Sequence, residues 1–423
     1  MSRTSAHATA GAIVMLALVS AEAVSAADAQ TGTTDLAKVI GQGAPILELR
    51  PRYEGVSQTG RPNDGEAVTL RTRLGWQTGR WANLQGLIEF EDVRSLAAER
   101  YDSGLNGKAA YAPISDPEVT ELNRLQLTWT PSTAFTAVIG RQRINLDDQR
   151  FIGGVAWRQD EQTFDAVRLN SHVGDLETTY IYIAHVNRIF GEAQDWRSDS
   201  HILNASYAFG APLRVSGFVY ALDFNRPQTI AVGNQSNLTW GAKASGNLAV
   251  GRYTFDYAIR FARQSDYGSS RLNYALGEQN YEAAITRGRL SAKINYEKME
   301  GDGARGFSTP LATLHSFNGW SDAFLANGVK TTVDGLRDFN LSISWSPVWK
   351  AQYLSGFNIL VRRHEFEADR TGADLGAEWD ASVGARLTPR LTWLVKYADY
   401  NGPDVANAPA DRTKLWLQFE WKL

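Results

Sequence analysis

The sequence predicts an all-β fold: a single transmembrane antiparallel up-and-down β-barrel of about eighteen strands, with short periplasmic turns and long extracellular loops. Three observations lead there. Apolar residues alternate with polar ones at period two along most of the chain. Very short connections take turns with long polar ones. The mean hydropathy is −0.31, and beyond the N-terminus no stretch is apolar over the roughly 18 residues that a membrane helix needs. A membrane barrel tolerates that composition, because only every second side chain of a strand meets lipid.

The N-terminus has the layout of a secretory signal. Arg3 and His7 precede the apolar run Ala10 to Val19, and Val24-Ser25-Ala26 or Ser25-Ala26-Ala27 offers small residues for cleavage. The apolar run is too short to span hydrocarbon. Residues 1–27 are therefore read as a signal peptide, 28–45 as a short periplasmic segment and 46–423 as the barrel. The chain has no cysteine, so an exported form has no disulfides, and its stability must come from an extensive sheet or core.

The strands follow in order. Val68, Leu70, Leu74 and Trp76 share a face opposite Arg71, Arg73 and Gly75. Phe255, Tyr257, Ile259 and Phe261 alternate with Asp256, Ala258 and Arg260, and Leu290, Ala292, Ile294 and Tyr296 with Ser291, Lys293 and Asn295. Trp379, Ala381, Val383 and Leu387 oppose Asp380, Ser382 and Arg386, and the chain closes on Leu415, Leu417, Phe419 and Trp421. Such segments run about 9–13 residues, the length of a tilted membrane strand. Tight turns fall at 78–80, 131–132, 174–175, 210–212, 250–252, 287–288 and 388–390. Long polar loops lie near 92–119, 146–163, 189–201, 224–238, 265–280, 300–335 and 400–413. Tryptophans near strand ends, Trp76, Trp81, Trp129, Trp240, Trp345, Trp393 and Trp421, fit interfacial girdles. A β-sandwich would lack the short–long rhythm, and a propeller or β-helix would show a fixed repeat.

Several function classes drop out. With 43 Lys and Arg against 46 Asp and Glu, the net charge of −3 gives no bulk attraction for nucleic acid. Absent cysteines remove thiolate metal sites and Cys nucleophiles. No His-x-x-x-His pair, Gly-x-Ser-x-Gly elbow or Walker motif is present, so no catalytic residue, metal or cofactor is expected and the chain reads as a non-enzyme. Asp147-Asp148 offers carboxylates to a cation without a complete oxygen cage, and His185 and His201 flank a loop as a possible rim pair.

Arginines on the polar face are the more informative feature. Arg71, Arg73, Arg124, Arg168, Arg260 and Arg386 sit opposite clear apolar rows, and a bulge could turn Arg141 and Arg143 inward. A narrow lumen lined by guanidinium groups favours anions. Alternatively each arginine braces the wall against a carboxylate such as Asp165, Asp256, Glu297, Glu378 or Asp380. The densest stretch is GRQRINLDDQRFIGGVAWRQDEQTFDAVRL, Gly140 to Leu169. The longest loop carries LHSFNGWSDAF, Leu314 to Phe324, too aromatic for a freely solvated loop. Its His315 and Trp320 are candidates for a constriction or lid.

Those two segments resemble the markers of the alginate-export family of outer-membrane barrels, and the likeness in strand rhythm runs from about Leu49 to Leu423. The final Leu423 departs from the aromatic residue usual at the end of such barrels. The resemblance implies a monomeric, porin-like barrel in the bacterial outer membrane, whose arginine-rich pore passes a polyuronate. It supports Arg141, Arg143, Asp165 and Arg168 as pore residues. Strand register alone supports Arg71, Arg73, Arg124 and Arg260. Membrane lipid, lipopolysaccharide and periplasmic export proteins are the partners it implies. A small-nutrient or general porin, and a plugged barrel serving as an enzyme or adhesion scaffold, are the alternatives.

Overall fold

A computed structural model describes residues 36–225, 234–270, 272–326, 329–348, 354–404 and 408–423. The expected signal peptide, and residues 28–35 of the expected periplasmic segment, lie outside the described residues. A short helix, α1 (Leu36–Gly41), leads into the wall. The wall begins with β1 (Ala44–Gln58), β2 (Gly65–Gln77), β3 (Leu84–Ser95), β4 (Val119–Ser132), β5 (Phe135–Gln142), β6 (Thr163–Val173) and β7 (Leu176–Asn187). It continues through β8 (Trp196–Ala208), β9 (Arg214–Leu222), β10 (Asn237–Val250), β11 (Tyr253–Asp266), β12 (Ala275–Arg287) and β13 (Leu290–Met299). A two-residue pair, β14 (Leu325–Ala326) and β15 (Val329–Lys330), interrupts it. The wall then resumes with β16 (Leu336–Trp345), β17 (Ser355–Glu367), β18 (Asp374–Thr388), β19 (Leu391–Asn401) and β20 (Arg412–Lys422).

Consecutive wall strands pair antiparallel, and β1 pairs with both β2 and β20, so eighteen strands close on themselves. Closure removes every sheet edge, the condition for a spanning sheet in lipid. Two-residue turns at 133–134, 174–175, 251–252, 288–289 and 389–390 define one rim. The 96–118, 143–162 and 300–335 loops rise from the other. Two connections on that loop rim, 59–64 and 368–373, are too short to stand out in the sequence. At the turn rim, α1 is pinned by Trp76 Nε1 donating to Ile40 O (3.0 Å) and Gly79 N to Val39 O (2.9 Å).

Burial is inverted relative to a water-soluble sheet. Leu74, Leu125, Ile139, Trp240, Phe261 and Leu341 are exposed outward, whereas Arg52, Arg71, Glu91, Arg260 and Glu378 are buried inside. Lipid around the wall makes that the stable arrangement. The expectation of a polar inner face is corrected along β6 to β9. There Phe164, Ile181, Ile183, Ile202, Phe218 and Tyr220 point inward and are buried. They pack on Ile144, Phe151, Ile152, Phe307 and Leu311 of two loops folded into the barrel, with Phe151 5.2 Å from Phe218.

Candidate pore constriction

The 143–162 and 300–335 loops turn inward and join. Ile152 bridges Leu311, Gly153 N donates to Leu311 O (2.8 Å) and Thr313 N to Gln149 O (3.1 Å). Val155 has φ +51°, strained for a β-branched residue, and its N–H donates to Thr313 Oγ1 (3.2 Å) across this seam.

The first loop is anchored on the wall at both ends. Arg150 grips Glu297 of β13 with Nε and Nη2 (2.6 and 3.1 Å) and Thr309 Oγ1 with Nη1 (3.0 Å). Farther along, Arg50 donates to Gln159 Oε1 (2.8 Å) and Ala156 O (2.9 Å), and Arg52 to Trp157 O (2.6 Å). Arg158 reaches Glu54 of β1 (3.1 Å) and Asp322 of the second loop (3.3 Å).

The second loop is anchored through Asp322. Its carboxylate meets Lys330 (2.8 Å), Lys414 of β20 (3.1 Å), Arg158 (3.3 Å) and His315 Nδ1 (2.9 Å). Burial alone would raise this carboxyl, but Lys330 and Lys414, with the hydrogen bond from His315, hold it well below the ordinary range. His315 stacks on Trp157 at 4.7 Å and 6°, and Lys396 of β19 donates to its Nε2 (2.7 Å). Burial and the Lys396 charge push His315 well below its usual value, so its ring is neutral at pH 7. Lys396 also lies 3.6 Å from the Trp320 ring and 4.1 Å from that of Trp157. Gly319 has φ +81°, and a Cβ there would come 2.2 Å from Glu378. A glycine at that place lets Ser321 N and Oγ donate to Glu378 (2.7 and 2.6 Å).

The sequence-selected arginines divide by partner. Arg71 pairs with Glu48 (3.3 Å), Glu91 (3.8 Å) and Glu420 (2.9 Å), and Arg73 with Glu48, Glu91 and Glu161. Arg124 donates to Glu89 (2.9 Å) and Arg143 to Glu89 (2.8 Å) and Glu161. Arg260 meets Asp148 (2.7 Å), Glu278 (2.9 Å) and Glu297 (3.3 Å). Arg141 stands opposite Leu125 of the outward row, and binds Asp165 (2.8 Å) and Leu122 O (3.0 Å). The preceding Gly140, at φ +111°, is close enough to Leu125 O that a Cβ would come within 2.2 Å.

Arg168 is different. It lies between buried Val138 and Ile181, its Nε has no hydrogen-bond partner, and no carboxylate pairs with it among the described residues. Arg362 of β17 shares this condition: its Nε is unpartnered, it sits in register with buried Asp380 and Ser342, and its guanidinium is 5.6 Å from the Trp320 ring. In the closed order, β6 is the sixth wall strand and β17 the fifteenth, nine apart of eighteen. Arg168 and Arg362 therefore occupy opposite walls; Arg412 of β20, also without an ion pair among the described residues, is instead spent on the Ser321 and Asp322 carbonyls.

His185 and His201 do not form a pair: His185 faces Asp195 (3.5 Å), and His201 meets Tyr180 on the outer surface. Asp148 is taken up by Arg260 and Lys243, and Asp147 by Asn204. No grouping of three metal-ligating side chains occurs among the described residues. Sequence reasoning missed Asp322, Lys396, Arg50, Arg150 and Arg362 as site residues. Asp322 and Arg150 lie inside the two segments singled out, but Lys396 and Arg362 carry no local signal.

Asp160 adds a titratable element. It is buried with neither carboxylate oxygen hydrogen-bonded, and burial, then Glu121 and Glu91, raise its pKa well above the ordinary range. The folded state therefore holds this proton more tightly than the unfolded chain, so the contribution is full in acid and is lost as pH rises through the raised value. Thermal stability should fall from acid to alkaline pH, and Asp160→Asn should flatten that dependence; an unchanged slope in the variant would remove Asp160 as its source.

The alginate-export family model matches residues 47–400. Among solved structures, the outer membrane protein OpdK of Pseudomonas aeruginosa superposes with a TM-score of 0.69 at 15% identity, over 91% of this chain and 99% of its own. OpdO of the same organism gives 0.66 at 15% identity over 92% and 98%, and OccAB2 of Acinetobacter baumannii 0.68 at 14% over 91% and 99%. At such identities the likeness speaks for the fold. No curated relative matches the sequence.

Proposed function

The chain belongs to the alginate-export family of outer-membrane barrels, and on that premise we propose that this channel passes anionic solutes, alginate-like polyuronate first among them, without covalent chemistry. The observation that carries the reading is that Arg168 and Arg362, on opposite walls, form no ion pair among the described residues. Wall arginines already matched by carboxylates add little net field to a passing ion, because a neutralised pair is felt as a dipole. Two guanidinium groups without such partners keep their charge for the solute, and each can grip a carboxylate with two hydrogen bonds.

The same features suit a porin for small organic anions, favoured by the two loops that fill much of the lumen. Membrane lipid and lipopolysaccharide would cover the exposed apolar belt, and a closed wall with no free edge suits a monomer. Direction of transport would come from the gradient and from periplasmic export partners.

The test is the reversal potential of the refolded barrel in a planar bilayer under a salt gradient. Wild type should prefer anions. Arg168→Ala with Arg362→Ala should remove most of that preference, whereas Arg141→Ala with Arg143→Ala should change it less. Block by uronate oligomers would favour polyuronate over the small-anion reading. Cation preference in the wild type would overturn both.

A further inference from the structure

A cavity of about 310 Å³ lies against the constriction, among the 96–118, 143–162, 188–195 and 300–335 loops. Its volume is at the lower end of ligand pockets, enough for one ring rather than a polymer. Most of its wall is apolar, from Val155, Ile189, Phe190, Pro310, Leu314 and Leu325. Its polar lining is Ser115, Arg158, Gln162, Arg188, His315 and Asp322. Arg158, His315 and Asp322 are already engaged with one another or with Glu54, and the Gln162 amide donates to Gly153 O.

Arg188 is not. Its Nη1 donates to Pro310 O (3.1 Å) and its guanidinium lies 4.1 Å over the Trp196 ring, which fixes its position. Asp195 is used by the Arg188 backbone N–H (2.7 Å) and faces His185, and no carboxylate forms an ion pair with the Arg188 guanidinium among the described residues. Burial lowers Arg188 to about 10, with Asp195 opposing, so it remains charged at neutral pH. A half-buried guanidinium that has a carboxylate nearby but no ion pair keeps donors free for an incoming anion.

We propose that this cavity is a binding site for a small monocarboxylate with an apolar ring, its carboxylate held by Arg188 and its body against Phe190, Ile189 and Leu314. Beside its charged groups, the wall offers the hydroxyls of a sugar acid Ser115 and a Gln162 amide already spent on Gly153 O, so the apolar remainder selects an aromatic or alicyclic acid. The site is separate from the Arg168 and Arg362 pair, rests only on the chain being an outer-membrane channel, and is entered from the long-loop side.

The experiment adds benzoate to the full barrel in a planar bilayer, from each side in turn. Concentration-dependent interruption of current is expected from the long-loop side, and at least tenfold more benzoate should be needed in Arg188→Gln. Benzyl alcohol, which keeps the ring and lacks the charge, should have little effect. Because Arg188 is part of the loop packing, Ala312→Trp is a second variant: it fills the cavity, keeps the arginine and should also abolish the interruptions. Anion preference should persist in both, so loss of this site and failure of the pore reading are distinguishable. Equal block in Arg188→Gln, equal block by benzyl alcohol, or stronger block by galacturonate than by benzoate would each overturn the proposal.

Discussion

Asp322→Ala is expected to release the long loop from the barrel wall. The substitution removes the one carboxylate shared by Lys330, Lys414 and Arg158, all of them buried, together with the acceptor for His315. Breaking a buried ion pair from one side typically costs about 3–5 kcal/mol, because the remaining charge is stranded in a low-dielectric setting. Lys330 and Lys414 are left without an ion pair among the described residues and repel one another, whereas Arg158 keeps Glu54. The wall strands keep their ladders, so the barrel should refold and show a lower denaturation midpoint. Its conductance should rise severalfold with large fluctuations. Asp322→Asn keeps the volume and loses the charge, and should fall between. A conductance equal to wild type in the folded alanine variant would mean that the loop is held by its other contacts. The depressed carboxyl also sets the pH behaviour: its stabilisation is lost only as pH falls through that lowered value, so mild acid leaves the latch charged.

What the sequence discloses here follows from where lipid acts. Lipid imposes an apolar residue at every second position, so Leu415, Leu417 and Phe419 or Phe255, Ile259 and Phe261 mark their strands without knowledge of any partner. Two-residue turns are equally local. The loops that fold inward were legible as anomalies, since Leu314 to Phe324 is too aromatic for solvent and Gly140 to Leu169 too rich in both charges. Their anchors were not. The partners of Asp322 include Arg158 and Lys414, which are 164 and 92 residues away in sequence, and only the closed strand order brings them together. Alternation also fails where both faces are apolar. In β7, Tyr180 and Tyr182 face outward while Ile181 and Ile183 face the inner core, and nothing in the letters ranks one pair above the other. Arg362 and Arg363 pose the same problem: the first faces the lumen and the second leans over Trp379 on the lipid side.

Arg150→Ala should be the second large effect. Arg150 is fully buried, and its guanidinium joins Glu297 on the wall to Thr309 and Asn318 of the other loop. Truncation leaves Glu297 buried, although Arg260 still meets it at 3.3 Å and Asn318 donates to it at 2.8 Å. The loss should therefore sit near the low end of about 3–5 kcal/mol, with increased current noise. Arg150→Met with Glu297→Gln should recover part of the stability, because Arg260 retains Glu278 and Asp148. The informative measurement is the cycle with Asp322→Ala. Arg150 and Asp322 share no hydrogen-bond partner among the described residues, so independent anchors would add within about 0.3–0.5 kcal/mol. The seam of Ile152 on Leu311 and Thr313 on Gln149 argues instead that the loops move as one body. If so, releasing either anchor already frees part of what the other holds, and the double variant should lose clearly less than the sum. Additivity would mean two separately hinged loops, each able to open the lumen alone.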